Sequence, residues 1–316
     1  MKKIWQLLKK HIAADFNLKL YGALGIFLAL IVSFNYAVNF ENGVIDKYTG
    51  REIRILWYFL EMSFVYFVAA GLVFYFNNTL HHFKSPRFWL IIIVALVFLA
   101  IDLGFPYTRQ IANRISGGDY WTYRWSYGIV NNLTDFFIQA MPLFVFAWFF
   151  EKQRENFGVN GKNIDLKPYW QILMIVAPLV IIASFEDGFR HYYPMYHKYE
   201  IPQEKNMTGI SPWLLGLWFE IAYGMDFFNV EFLFRGALVI GVSQVIGKEA
   251  ILPMVSAYCA LHFGKPLGEC ISSIFGGYIL GVVAFYTRNI WGGVIVHMGL
   301  AWMMEIVAFL QKAINS

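Results

Sequence analysis

Of the ionisable side chains in the apolar C-terminal stretch of the sequence, four could do chemistry: Glu231, Arg235, His262 and His297. Each would cost about 2.5 to 3.5 kcal/mol at the centre of a membrane span, so groups of this kind face other helices or a polar cavity and often mark function. Glu231 and Arg235 are spaced i,i+4, which places them on one helical face as an ion pair, and the plain reading of such a pair is register-fixing structure. His262 closes a short apolar run just before Gly264, Lys265 and Pro266, where a histidine is ordinarily a packing or interfacial residue. His297 lies deeper, well inside an apolar run that starts at Ile290. As ligands, Glu231, His262 and His297 would offer two nitrogens and one oxygen, the donor set of an open zinc site, although no HExxH-type spacing accompanies them.

Such groups must be held by helices, and the sequence is full of them. Charge-poor runs near the roughly 20 residues that a membrane crossing needs cover residues 20–40, 55–76, 88–105, 129–150, 169–185, 270–286 and 290–310. A longer helical stretch runs from 213 to about 247, interrupted by Glu220, Asp226, Glu231 and Arg235, while 251–263 is short enough to be buried or re-entrant. The expectation is an all-α, polytopic integral membrane bundle of eight or nine helices. Composition agrees: 58% of residues are hydrophobic, 19% aromatic and only 15% charged, against roughly 25% charged in a soluble domain. The excess is spread along the chain, which excludes a soluble enzyme carrying a single anchor. Ser273, Gly277 and Gly281 form a small-residue stripe suited to close helix packing.

Charge is concentrated at the amino terminus. Lys2, Lys3, Lys9, Lys10 and Lys19 against Asp15 account for the whole net charge of +4. Ile4, Leu7, Leu8 and Ile12 recur among these lysines at helical spacing, as in a short helix lying at the membrane surface. The partner implied is anionic lipid and not nucleic acid. Basic residues place the amino terminus in the cytoplasm, with loops 77–87 and 151–168 on the same side, in a plasma (inner) membrane. Three units are expected: a basic interfacial segment at 1–19, N-terminal transmembrane helices at 20–210, and a functional core at 211–316. Cys259 and Cys270 both fall in apolar runs, which argues against a disulfide framework or a cysteine metal cluster. A charged aromatic cluster from Glu186 to His197 reads as an interfacial belt, or else a lid or docking surface. With no repeat between the halves, an inverted-repeat transporter gains no support.

The stretches Val230-Glu231-Phe232-Leu233-Phe234-Arg235-Gly236, Tyr258 to His262, and Thr287-Arg288-Asn289-Ile290-Trp291 leading to His297 resemble the CAAX protease and bacteriocin-processing (CPBP/Abi) family of intramembrane proteases. The resemblance covers about the last third of the chain and implies a four-helix protease core. In that family a glutamate and a histidine activate water against a peptide carbonyl, the last histidine and an asparagine stabilise the oxyanion, and some descriptions invoke a metal. Carried over, Glu231 matches the second glutamate, Arg235 the arginine, and His262 and His297 the two histidines. Two positions depart: the first glutamate is Val230 and the asparagine is Ala301. A missing base costs about 10² to 10⁴ in rate and a missing oxyanion donor about 10² to 10³. Asp226 shares the face of Val230 but lies about 6 Å along the axis, and Glu305 is about 12 Å from His297. The resemblance therefore implies a catalytically degenerate relative that binds a membrane protein or a lipidated peptide, needing no cofactor. The alternative is an active endopeptidase cleaving membrane-tethered peptides with Glu231, His262 and His297.

Overall fold

The computed structural model describes residues 2–151, 155–160, 165–186, 189, 193–195, 209–265 and 267–315. Apart from turns, the described residues are helical, in keeping with the all-α expectation. Most of the Glu186 to His197 cluster falls outside them. Seven helical segments are long and apolar enough to cross a membrane, so the chain is a polytopic integral membrane protein.

Local signals set the helix ends. Asn17 caps α2 (Leu18–Val38) by accepting from the Lys19 and Leu20 amides, and Asn39 ends it in a left-handed conformation. Asn78 ends α3 (Ile53–Asn77) in the same way. Ser85, followed by Pro86 in the first turn, starts α4 (Pro86–Leu103), an arrangement in which the missing proline N–H costs nothing. A basic helix, α1 (Lys2–Asp15), precedes these.

The sequence reading missed two features between α4 and residue 129. A short helix, α5 (Thr108–Ser116), is built largely from polar residues. The next helix, α6, starts at Tyr120 and runs to Asp135. Its first turns, Tyr-Trp-Thr-Tyr-Arg-Trp-Ser-Tyr, are too polar for an apolar-run scan to register. A wide turn leads into α7 (Met141–Phe150), and α8 (Lys167–Ala183) is apolar but shorter than the spans.

The hydrophobic core draws on both halves of the chain, and its most fully buried elements lie in the C-terminal third. Here α9 (Pro212–Glu231) passes into a ten-residue widened, π-type segment, Phe232–Gly241, every residue of which is buried. After α10 (Val242–Ile246) comes α11 (Ile251–Ala260), buried along its full length, as its brevity suggested. It packs between α3 and α12 (Leu267–Thr287). The small-residue stripe makes that packing possible. A side chain added at Gly277 would sit 3.0 Å from the Tyr258 ring, and one at Gly281 would sit 2.6 Å from Met254. The last helix, α13 (Trp291–Asn315), packs on α8 and α9.

Candidate active site

Glu231 ends the regular part of α9 and Arg235 lies in the widened segment that follows, a kind of irregularity found often at functional sites. The i,i+4 pair forms, with Arg235 Nη1 2.9 Å from Glu231 Oε1. Both side chains are fully buried, at 1% and 0% exposure. His297 joins them from α13, its Nδ1 2.7 Å from the same carboxylate oxygen. Neither is an aligned hydrogen bond, and burial strengthens the Arg235–Glu231 attraction because little solvent screens it. Space for the carboxylate comes from Gly293, where an added Cβ would lie 1.9 Å from Glu231 Oε2.

Tyr258 ties the two histidines together. Its hydroxyl lies 3.2 Å from His297 Nε2, and its backbone carbonyl accepts from His262 Nδ1 at 2.8 Å. The Arg235 guanidinium stacks 4.3 Å from the centre of the same ring, in cation–π geometry. His262 itself sits in the turn after α11, where burial, and next the positive charge of Lys265, hold its imidazole below the usual range and keep it neutral. With Nδ1 donating, Nε2 is left as the acceptor.

The turn that carries His262 is held from the other half of the chain. Asn35 of α2 donates to the Phe263 carbonyl at 3.0 Å, and the Tyr36 hydroxyl donates to the Lys265 carbonyl at 2.6 Å. Glu41, just past α2, lies so near Gly264 that an added side chain would be 2.8 Å from its Oε1. Sequence reasoning gave these three residues no role. An asparagine inside an otherwise apolar span was the one available hint. Nor did it see that the Cys259 and Cys270 sulfurs, both free thiols, lie 3.7 Å apart across α11 and α12.

His262 and His297 both line one cavity of about 620 Å³, together with Tyr258, Val230, Ala301 and Asp226. Most of the remaining wall is apolar, including Phe227, Leu280 and Val296. Glu231 is absent from that wall; its carboxylate is turned into Arg235 and His297. Three of the four singled-out groups therefore meet around Glu231, and the two histidines meet at the cavity. At the positions where the resemblance puts a base and an oxyanion donor, the wall presents an isopropyl and a methyl group. Asp226, the imperfect substitute, does reach the cavity; Glu305 is elsewhere, accepting from the Met195 amide at 2.7 Å.

A zinc ion does not fit these residues. Glu231 is committed to Arg235 and His297 and lies off the wall that His262 lines, and among the described residues no group of three or more His, Cys, Asp or Glu is arranged to hold a metal.

Comparison with known proteins finds a match over this part of the chain. Residues 210–303 match the family described as type II CAAX prenyl endopeptidase Rce1-like. The matched segment starts just before α9 and ends within α13, so it contains Glu231, Arg235, His262 and His297, and it bears out the resemblance to CAAX proteases over the C-terminal third. No curated protein and no solved structure matches the chain.

Proposed function

We propose that this CAAX-endopeptidase-like membrane protein receives a membrane-tethered or lipidated peptide in the cavity beside His262 and His297 and holds it without cutting it. The observation that supports this reading is the composition of one wall. Val230 and Ala301 face the space where an attacking water would need a base and a developing oxyanion would need a donor. Absence of a base slows hydrolysis by about 10² to 10⁴, and the mainly apolar lining suits an acyl or prenyl chain better than a charged transition state. Glu231 and Arg235 then act as structure, fixing α9 against α13 and orienting His297.

The alternative, an active endopeptidase using Glu231, His262 and His297, draws support from Asp226. It is the one carboxylate of α9 on the cavity wall, one helical turn from Val230. The lysine-rich amino terminus supports a cytoplasmic orientation and a plasma-membrane location.

The test uses purified protein reconstituted in vesicles with a fluorescent prenylated peptide and its unprenylated counterpart. The binding reading expects saturable capture of an intact prenylated peptide. Capture should be lost when the cavity is filled by Val296→Trp and kept in His262→Ala and His297→Ala. Time-dependent cleavage abolished by Glu231→Gln, His262→Ala and His297→Ala would establish the protease reading in its place.

A further inference from the structure

The cavity has a cover made from the basic helix. Ile4, Trp5 and Leu8 of α1 line it alongside His262 and His297. The helix presents an inner face of Ile4, Leu8, His11 and Asp15, all buried. Next to that face runs an exposed apolar stripe, Trp5, Ile12 and Phe16. Lys2, Lys3, Lys9 and Lys10 are exposed on the remaining side.

The two ends of α1 are held unequally. At the carboxyl end Asp15 takes Lys248 at 3.2 Å and the Tyr21 hydroxyl at 3.0 Å, and Lys248 also donates to the Ala14 carbonyl. At the amino end Lys3 lies 3.8 Å from Asp165, with both side chains about half exposed, and an ion pair so open to solvent contributes little. The covering end is thus held by the apolar contacts of Ile4 and Leu8 and not by a buried ion pair. Lifting it would join Ile4 and Leu8 to Trp5, Ile12 and Phe16 as one broad apolar face backed by lysines, the form of a helix that lies on an anionic bilayer.

We propose that α1 is a lid hinged near Asp15, and that an anionic lipid surface competes with the cavity for its Ile4 and Leu8 face, so that leaflet charge sets access to the cavity. The lipid has the differential affinity such a shift requires. In the lifted state all four lysines and the whole apolar face meet the bilayer, whereas in the covering state Ile4 and Leu8 are withheld. The inference rests on the same cavity as the binding reading and adds its regulation; its test reads access to the cavity, independently of capture or cleavage.

A reporter thiol is placed on the cavity wall by Leu280→Cys, a buried position where the smaller side chain displaces nothing. Its reaction with a maleimide is followed in vesicles of phosphatidylcholine, with and without phosphatidylglycerol. Protein lacking the reporter measures any background from Cys259 and Cys270, both buried. The anionic lipid should raise the labelling rate about tenfold, and replacing Lys2, Lys3, Lys9 and Lys10 with glutamine should remove the rise. Ile4→Asp, which weakens the covering contact, should label fast in either lipid. Equal rates in the two vesicle types, or an undiminished rise in the glutamine variant, would overturn the proposal.

Discussion

Two apolar stretches of this chain are used in opposite ways. In the most apolar window of α2, 22% of the residues are buried, against 67% for the corresponding window within Pro212 to Ala260. The first is mostly a surface for lipid; the second is an interior. The difference teaches where sequence matters. On α2 an apolar residue need only be apolar, whereas between Glu231 and Ala260 most side chains meet protein on all sides, and a charge is tolerated when another charge is built to receive it.

Breaking that reception should give the largest effect. Arg235→Met leaves the Glu231 carboxylate buried beside His297, and losing one partner of a buried pair costs about 3 to 5 kcal/mol. A large drop in the thermal unfolding midpoint in detergent is expected, partly restored by adding Glu231→Gln. Glycines sharpen the same contrast. Gly293→Ala must displace the Glu231 carboxylate and should cost about 1 to 3 kcal/mol. Gly22→Ala in α2 has no atom within 4 Å to meet and should be neutral, or stabilising by up to about 1 kcal/mol, in the same melting assay. Tyr258→Phe keeps the ring under Arg235 but removes the hydroxyl at His297; a loss of about 1 kcal/mol is expected, with a changed His297 imidazole resonance in NMR.

The smallest effect concerns the seam between the two regions. Burial, and after it the nearby Asp46, raise the Glu41 carboxyl from 4.5 to about 7. The folded protein therefore holds this proton more tightly than the unfolded chain. That stabilisation is complete below the unfolded value and is lost as pH rises through about 7. The unfolding midpoint should decline across that range, and the decline should flatten in Glu41→Gln.

Much of this architecture was legible because helices declare themselves locally. The Glu231–Arg235 pair followed from i,i+4 spacing alone, the burial of α11 from its length, and the close approach of α11 and α12 from Ser273, Gly277 and Gly281. What stayed hidden depends on contacts distant in sequence. Nothing near Asn35, Tyr36 or Glu41 announces that they grip a turn more than two hundred residues away. The Tyr258 bridge between two histidines is a product of packing, and the covering of the cavity by α1 needed coordinates. α5 and the start of α6 escaped because polar and aromatic turns hide a helix from a search for apolar runs.

The central claim is that the cavity has a binder's wall on a protease's frame. It is tested most directly by restoring the two absent groups, Val230→Glu with Ala301→Asn, in reconstituted protein given a prenylated membrane peptide. The native sequence should leave the captured peptide intact, and the folded double variant should cleave it. Cleavage by the native protein, or a double variant that folds and captures the peptide yet leaves it whole, would contradict the account.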